Sequence, residues 1–232
     1  MADGAAAPRR GKPALKDKTL RGDIVATARR MNAIGLNQGM SGNLSVRLPR
    51  KRGLLVTPSS LAYETMSPAD VVEMRWDGQW TAPEGRRPSS EWRFHRDILE
   101  ARPEFGAVLH AHPVHATALA VHSRGIGPFH YMVAIAGGRD IRCAPYAIFG
   151  GQELSDHALA ALEGRKACLL AHHGMIACGR DLAQALDVAV EVETLAAQYL
   201  AACALGEPPE LPDEAIEAVL EKIASGPGYG SA

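Results

Sequence analysis

The 232-residue sequence lacks a strong charge of either sign. Its 25 lysine and arginine residues nearly balance 26 aspartate and glutamate residues, which gives a formal net charge of −1. This balance argues against nucleic acid or a membrane surface as a partner held by overall charge. No apolar run approaches the length of about 18 residues that a membrane span needs, and the amino terminus lacks the apolar centre of a signal peptide. We therefore expect a cytoplasmic protein with no membrane or nucleic-acid partner.

Cysteine is scarce, and two common phosphate-binding motifs are missing. The four cysteines, at 143, 168, 178 and 203, show no CxxC spacing, so reduced structural thiols are expected. Neither GxGxxG nor GxxxxGK[ST] occurs in the chain. A Rossmann dinucleotide site and a P-loop are therefore not expected.

What the sequence does contain predicts one α/β domain after a short arm. With 47% hydrophobic and 22% charged residues, the chain can bury one large core. Residues 1–18 contain two prolines, two glycines and five basic residues, a composition typical of a disordered basic arm. We expect residues 19–232 to form the single folded domain.

Hydrophobic spacing predicts the order of the elements. Helices are predicted at 19–33, from 89–90 to about 102, after Pro113, at 181–204 and at 213–224. Strands are predicted at 44–48, 54–57, 71–76, 107–112 and 168–171. Hairpins come early, and helices alternate with strands irregularly. This order favours a mixed, mainly antiparallel central sheet flanked by helices over a doubly wound parallel sheet.

Three histidines interrupt the apolar segment VLHAHPVHATALAV at 108–121. His110 and His112 would share one face of a strand, because side chains at i and i+2 point to the same side. Two such imidazoles could bind one divalent ion. His115 follows Pro113, in a predicted helix, and is not expected to be a ligand. The pair alone does not decide between a metal site and two hydrogen-bonded histidines.

A metal site needs at least one further ligand. The segment AHHG at 171–174 follows an apolar strand, so only one of His172 and His173 should face a site, and the spacing leaves that choice open. Glu91, in the predicted first turn of a helix, is another candidate. Its charge could equally serve only to stabilise the positive end of that helix.

Two segments could bind an anion. Ser89 and Ser90 place hydroxyl groups beside the free backbone N–H groups of a helix start. The turn GMSGN, which ends at Asn43, offers successive backbone amides that can form an anion nest, although a plain hairpin turn has the same sequence features. Beside a metal ion, these segments predict a phosphate pocket.

Seven motifs, in order along the chain, closely resemble those of the class II aldolase/adducin superfamily. They are GLNQGMSGNLSVR at 35–47, TPSSLAYE at 57–64, PSSEWRFH at 88–95, VLHAHPVH at 108–115, HYMVAIAGG at 130–138, CAPYAIFG at 143–150 and LLAHHGMIACG at 169–179. The resemblance is greatest with the L-fuculose-1-phosphate aldolases. It implies a mixed α/β fold and a homotetramer whose active sites lie between subunits.

The resemblance also implies the metal ligands and the residues that carry protons. One zinc ion would be held by Glu91, His110, His112 and His173, and manganese or cobalt could replace it. Glu91 would also act as a general acid and base. Tyr131 would reach the site of a neighbouring subunit and carry the second proton.

Further residues would bind the rest of the substrate, again by resemblance. The phosphate would contact Asn43, Ser59, Ser60, Ser89 and Ser90, and the aldehyde end would lie near Phe149 and Tyr229. Two positions depart from the family pattern. Met40 replaces a threonine, and Ser59-Ser60 replaces a Thr-Gly pair, so Ser60 must adopt a turn that glycine makes easily.

The implied reaction is the reversible cleavage of a ketose 1-phosphate to dihydroxyacetone phosphate and a short aldehyde. The candidate substrates are L-fuculose 1-phosphate, 5-deoxyribulose 1-phosphate and 5-(methylthio)ribulose 1-phosphate. Only Lys166 and Lys222 follow Lys51 in the chain, which agrees with a reaction that needs no lysine Schiff base. The alternatives are a pentulose-phosphate epimerase, a dehydratase or a decarboxylase on the same fold, or a non-catalytic adducin-like binding module. The epimerases carry aspartate at the position of Glu91, which favours the aldolase.

Overall fold

One mixed sheet forms the centre of residues 15–225, the part of the chain that the computed structural model describes. Its strands are β1 Asn43–Arg47, β2 Leu54–Val56, β3 Val72–Met74, β4 Trp80–Thr81, β5 Ala107–Ala111, β6 Arg142–Ala144, β7 Ala167–Leu170 and β8 Gly174–Gly179. They lie in the order β4-β3-β2-β1-β5-β8-β7-β6. Only β6 and β7 are parallel among these neighbours, and every other pair is antiparallel. The predicted mixed, mainly antiparallel sheet is confirmed.

Helices cover both faces of this sheet. They are α1 Leu15–Ala33, α2 Trp92–Ala101, α3 Val114–Val121, α4 Gln152–Ala161, α5 Leu182–Cys203 and α6 Asp213–Ser225, with short 3₁₀ helices at Pro49–Lys51 and Tyr131–Ala136. One hydrophobic cluster joins α1, α3 and α5 to one face, and a second joins α2 and α4 to the other. The predicted flanking helices are therefore present on both sides.

The alternation of side chains along β5 decides where His110 points. Leu109 and Ala111 pack in the cluster with α1, α3 and α5, whereas Val108 packs in the cluster with α2 and α4. His110 shares the face of Val108, and its ring lies 5.4 Å from that of Phe94 on α2. Because each of these side chains is buried, the register of β5 is fixed by burial on both faces of the sheet.

The first helix begins earlier than predicted. It starts at Leu15, so residues 15–18 are helical rather than part of a disordered arm. Asp17 is buried there and lies 2.6 Å from the guanidinium of Arg52, which fixes this first turn against the sheet. Residues 1–14 of the predicted arm lie outside the described part of the chain.

The start of α2 also differs from the prediction. We expected Ser89 or Ser90 as the helix cap and Glu91 inside the first turn. The helix begins at Trp92, and Glu91 itself occupies the cap position. Ser89 instead accepts a hydrogen bond on its Oγ from the Glu91 backbone N–H, at 3.3 Å. Glu91 therefore lies outside the helix, and its side chain is free to point into the sheet.

Several elements were not predicted from the sequence. The segment 131–136 was assigned to a loop and is a 3₁₀ helix, and the strands β6 and β8 were not assigned at all. Strand β8 is buried along its whole length between β5 and β7, so it has no polar alternation to reveal it. Strand β6 has three residues, too few to show a period.

The cysteines agree with the prediction of reduced structural thiols. All four cysteines are free thiols, and burial raises the pKa of the Cys143 thiol to about 11. Between residues 15 and 225, no helix combines the length and the hydropathy needed to cross a lipid bilayer.

Candidate metal centre and anion pocket

Three histidines meet at one end of the central strands, where β5 and β7 end and β8 begins. His110 is in β5, His112 follows its last residue, and His173 lies in the turn between β7 and β8. One ring nitrogen from each lies within 4.8 Å of the other two. Since β8 pairs with both β5 and β7, the sheet itself brings distant parts of the sequence to this point.

The hydrogen bonds of His110 leave one ring nitrogen free to bind a cation. Its Nδ1 lies 2.8 Å from the carbonyl oxygen of Met175, which can only accept, so Nδ1 donates a proton to that oxygen. Its Nε2 is the ring nitrogen that faces the cluster, 2.8 Å from Nε2 of His112. Burial, followed by the charge of neighbouring histidines, lowers the pKa of His112 to about 3 and that of His173 to about 4. Both are therefore neutral near pH 7, the form that binds metals.

Glu91 faces the same three rings. Its Oε2 lies 3.2 Å from His110 Nε2, and its Oε1 lies 3.2 Å from His173 Nε2. Burial opposes ionisation of this carboxyl, but the adjacent His110 and His173 and a hydrogen bond from Asn43 outweigh burial and hold its pKa below the usual range. Oε1 is buried and accepts no hydrogen bond from any described residue.

This donor set fits a divalent metal ion. Four ligand atoms around a tetrahedral zinc ion stand roughly 3.3 Å apart, given zinc–nitrogen bonds of about 2.0 Å. The separations of 2.8 Å between the Nε2 atoms of His110 and His112, and of 3.2 Å between His173 Nε2 and Glu91 Oε1, are close to that value. A cation would also satisfy the buried Oε1 of Glu91, which no described residue does. The cluster therefore fits a metal with imidazole and carboxylate ligands.

The turn between β7 and β8 separates the two adjacent histidines. Strand alternation does not apply here, because β7 ends at Leu170 and both residues belong to the turn. His172 adopts a left-handed backbone conformation, with φ of 56°. Its exposed ring lies against Tyr146, 6.0 Å between centroids, while His173 faces Glu91. The choice that spacing left open depends on this turn.

This arrangement predicts different results from two neighbouring substitutions. His173→Ala should lower the affinity for zinc by more than about 100-fold. Loss of a residue that only hydrogen-bonds a metal ligand lowers metal affinity by about 10- to 100-fold, and loss of the ligand itself should lower it further. His172→Ala should bind zinc with the affinity of the unmodified protein. Competition with a chromogenic chelator measures both affinities. Equal affinities in the two variants would show that His173 is not a ligand.

His115 has a different role. Its Nδ1 lies 2.8 Å from Oε1 of Glu193 in α5. The same carboxylate accepts the backbone N–H groups of His115 and Ala116, at 3.0 and 2.8 Å, which are otherwise free at the start of α3. The structure therefore places His115 outside the metal cluster, where it joins α3 to α5.

A cavity of about 510 Å³ adjoins the cluster, a size typical of small-molecule sites. Ser59, Ser60, Ser89 and Ser90 line it, together with Glu91, His112 and His173. Two backbone hydrogen bonds of 3.0 Å hold the serine segments side by side: Ser89 N–H to Thr57 and Ser59 N–H to Arg87. Ser60 has φ of 56°, so the turn expected at this position is confirmed. The four hydroxyls can donate hydrogen bonds to an anion beside the metal cluster.

Asn43 lines the cavity, but its side chain already has partners. Its Nδ2 donates to Oε2 of Glu91 at 2.9 Å, and its Oδ1 hydrogen-bonds Nε2 of His95. For the predicted contact with a phosphate, Asn43 therefore offers the second N–H of its Nδ2 and its backbone. His95 itself was missed by the sequence analysis. Its spacing of four residues from Glu91 was the available signal, since it suggests neighbouring positions about one helical turn apart.

Of the three remaining predicted residues, one lines the cavity, one lies elsewhere and one is outside the described part of the chain. Phe149 lines the cavity with 64% of its surface exposed, and Tyr146, which the sequence analysis missed, also lines it. Tyr131 is 47% exposed on its 3₁₀ helix and does not line this cavity of its own chain. Tyr229 lies outside the described residues.

Comparisons with known proteins agree on one family. A profile described as "Class II Aldolase and Adducin N-terminal domain" matches residues 22–200. A 5-methylthioribulose-1-phosphate/5-deoxyribulose-1-phosphate aldolase of Rhodospirillum rubrum is 55% identical over 204 residues, which cover 88% of this chain and 90% of that protein. The L-fuculose phosphate aldolase of Escherichia coli K12 is 49% identical over 201 residues, 86% of this chain and 92% of that protein.

Solved structures lead to the same conclusion. An L-fuculose 1-phosphate aldolase superposes with a TM-score of 0.86 and 37% identity, covering 89% of this chain and 96% of that one. The enzyme of that name from Thermus thermophilus gives 0.70 and 28%, with 83% and 98% coverage. The fold and the histidine cluster thus define a mixed-sheet protein with a candidate metal centre where β5 and β7 end. The chain belongs to the class II aldolase and adducin family.

Proposed function

We propose that this protein is a zinc-dependent aldolase that cleaves a ketose 1-phosphate to dihydroxyacetone phosphate and a short aldehyde. The observation that carries the proposal is one cavity lined by metal-type ligands and by four serines. That combination suits a substrate with a phosphate at one end and a carbonyl near it. The aldolase names of the similar proteins from R. rubrum and E. coli support the same reaction.

The proposed metal ligands are Glu91, His110, His112 and His173. Zinc is the expected ion because it takes nitrogen and carboxylate ligands, although manganese and cobalt accept the same donors. When bound, the ion acts as a Lewis acid that stabilises the negative charge developed as the carbon–carbon bond breaks, by several kcal/mol. In the part of the chain that the structure describes, no lysine lines this cavity. This agrees with a reaction that forms no Schiff base.

Proton transfer in the proposed reaction needs two groups. The C4 hydroxyl loses its proton as the C3–C4 bond breaks, and the bonding electron pair stays with the three-carbon fragment, which is then protonated at C3. Glu91 is the group proposed to exchange this second proton, since it lines the cavity beside the histidine cluster. Tyr131 of the partner subunit is proposed to take the first. The exposed position of Tyr131, away from its own chain's cavity, supports a homotetramer with sites between subunits.

The two ends of the cavity are proposed to hold the two ends of the substrate. The hydroxyls of Ser59, Ser60, Ser89 and Ser90, with Asn43, bind the phosphate. Phe149 lines the aldehyde end, and Tyr229 is proposed to cover it. The exposed apolar rings of Tyr146 and Phe149 favour an aldehyde with an apolar substituent.

Similar proteins carry the names of both substrate groups. We expect the zinc-loaded protein to release dihydroxyacetone phosphate from at least one of the three candidate substrates. A coupled reductase assay gives kcat/KM for L-fuculose 1-phosphate, 5-deoxyribulose 1-phosphate and 5-(methylthio)ribulose 1-phosphate. The highest value identifies the substrate group. Turnover without release of dihydroxyacetone phosphate would indicate an epimerase or dehydratase instead, and zinc binding without turnover would indicate a binding module.

A further inference from the structure

A buried chain of hydrogen bonds leads from Glu91 away from the cavity. Oε2 of Glu91 accepts from Asn43 at 2.9 Å, Asn43 Oδ1 contacts His95 Nε2, and His95 Nδ1 lies 2.8 Å from the hydroxyl of Ser45. His95 and Ser45 are completely buried, and Asn43 and Glu91 are nearly so. Neither metal binding, proton transfer nor phosphate binding accounts for His95 or Ser45.

The donors and acceptors in this chain have only one consistent order. The ionised carboxylate of Glu91 can only accept, so Asn43 must offer it Nδ2 and must turn Oδ1 toward His95. His95 therefore donates from Nε2, and the bare Nδ1 of the neutral ring accepts from Ser45. Reversing the Asn43 amide would place two acceptors face to face at Glu91 and two donors at His95. The tautomer of His95 and the orientation of Asn43 thus fix each other.

The positions of these residues follow from the packing of α2 on β1. Asn43 and Ser45 are two residues apart in the strand and point to the same face. Glu91 and His95 are four residues apart at the start of α2 and lie about one turn apart. The side chains of Glu91 and His95, at the start of α2, thereby meet those of Asn43 and Ser45 in β1.

We propose that His95 and Ser45 are positioning residues that act on Glu91 through Asn43. The last torsions of glutamate and asparagine are broad, so hydrogen bonds rather than rotamer preference must fix the planes of both groups. The chain holds Oε2 and leaves Oε1 facing His173 without a hydrogen bond from any described residue. It thereby makes the two oxygens different, one anchored and one available to a metal or a proton. The kinetic part of this proposal rests on the proposed function.

The test compares His95→Leu, His95→Gln and Ser45→Ala. Leucine fills the space without hydrogen bonds, whereas glutamine keeps a donor for Asn43. We expect His95→Leu to lower zinc affinity and kcat by about 10- to 100-fold, with KM changed by less than about threefold. His95→Gln should restore most of both losses. Ser45→Ala should lower both by about tenfold, and it tests the proposal if the leucine variant does not fold.

Ser155→Ala is the matched control. Ser155 is also completely buried beside α2, and its hydroxyl donates to Asp97 at 2.7 Å, away from the cavity. It should lower the melting temperature as Ser45→Ala does and leave zinc affinity unchanged. The proposal is wrong if Ser45→Ala and Ser155→Ala have equal zinc affinities, or if leucine and glutamine at position 95 are equally impaired. Zinc affinity is measured by competition with a chelator. The comparison of zinc affinities therefore tests the proposal even if the unmodified protein cleaves none of the three substrates.

Discussion

Glu91→Gln is expected to reduce kcat for ketose 1-phosphate cleavage by about 10²- to 10⁴-fold while the protein stays folded. Glutamine has the shape of glutamate, and its carbonyl oxygen can still accept the hydrogen bond that Asn43 donates to Oε2. The amide cannot take up and return a proton, so the step assigned to the carboxylate is lost. Release of dihydroxyacetone phosphate measures kcat, and thermal melting with size-exclusion chromatography checks the folded assembly.

Glu193→Gln supplies the control for this result. Glu193 is also a partly buried glutamate whose carboxylate faces a histidine, His115, but it lies in α5 outside the cavity. Its substitution should leave kcat unchanged and lower only the stability of the protein. The amide nitrogen replaces one of the two carboxylate oxygens that accept backbone N–H groups at the start of α3. Normal turnover by Glu91→Gln in zinc-loaded protein would contradict the role assigned to Glu91.

Removal of the metal is expected to abolish cleavage and to lower the melting temperature. An ion that binds only the folded state at 100 times its Kd adds about 2.7 kcal/mol to the free energy of unfolding. In a domain of this size that corresponds to roughly 5–10 °C. The physical reason lies in the buried cluster, where ring nitrogens of His110 and His112 are 2.8 Å apart and Glu91 Oε1 accepts no hydrogen bond from a described residue.

Elemental analysis, activity and melting curves should be recorded on the same samples before and after treatment with a chelator. Added zinc should restore turnover and melting temperature together. Magnesium should restore neither, since it prefers oxygen ligands and an octahedral site. Full turnover by protein that elemental analysis shows to be free of metal would exclude the metal-dependent reaction.

Much of the fold could be predicted from the sequence, because hydrophobic periodicity reflects burial directly. The helices α5 and α6 were predicted to within one residue at each end, and the early hairpins were found from alternation and turns. Strand β8 was missed because its neighbours β5 and β7 bury it completely, so its sequence resembles any apolar segment. The start of α2 was misplaced because serine is a good cap in isolation, whereas here Ser89 binds the Glu91 backbone.

The candidate site, like the fold, could be predicted from the sequence only in part. The period of two explained how His110 and His112 could serve one ion, and the family resemblance supplied Glu91 and His173. Strand alternation could not choose between His172 and His173, because the choice depends on a turn with a left-handed residue. Nor could it show that Asn43 is engaged with Glu91 and His95, since that contact exists only where α2 packs on β1.

The sequence alone therefore determined most of the elements, the chemical types of the ligands and the family. These follow from local periodicity and from motifs, which depend on residues close together in the chain. Only the tertiary structure decided which side chain of each motif joins the histidine cluster and what holds it there. Those choices depend on contacts between segments far apart in the chain, such as His95 with Ser45 and His110 with Met175. Hydrogen bonds of this kind form only after the sheet has fixed the register of both partners.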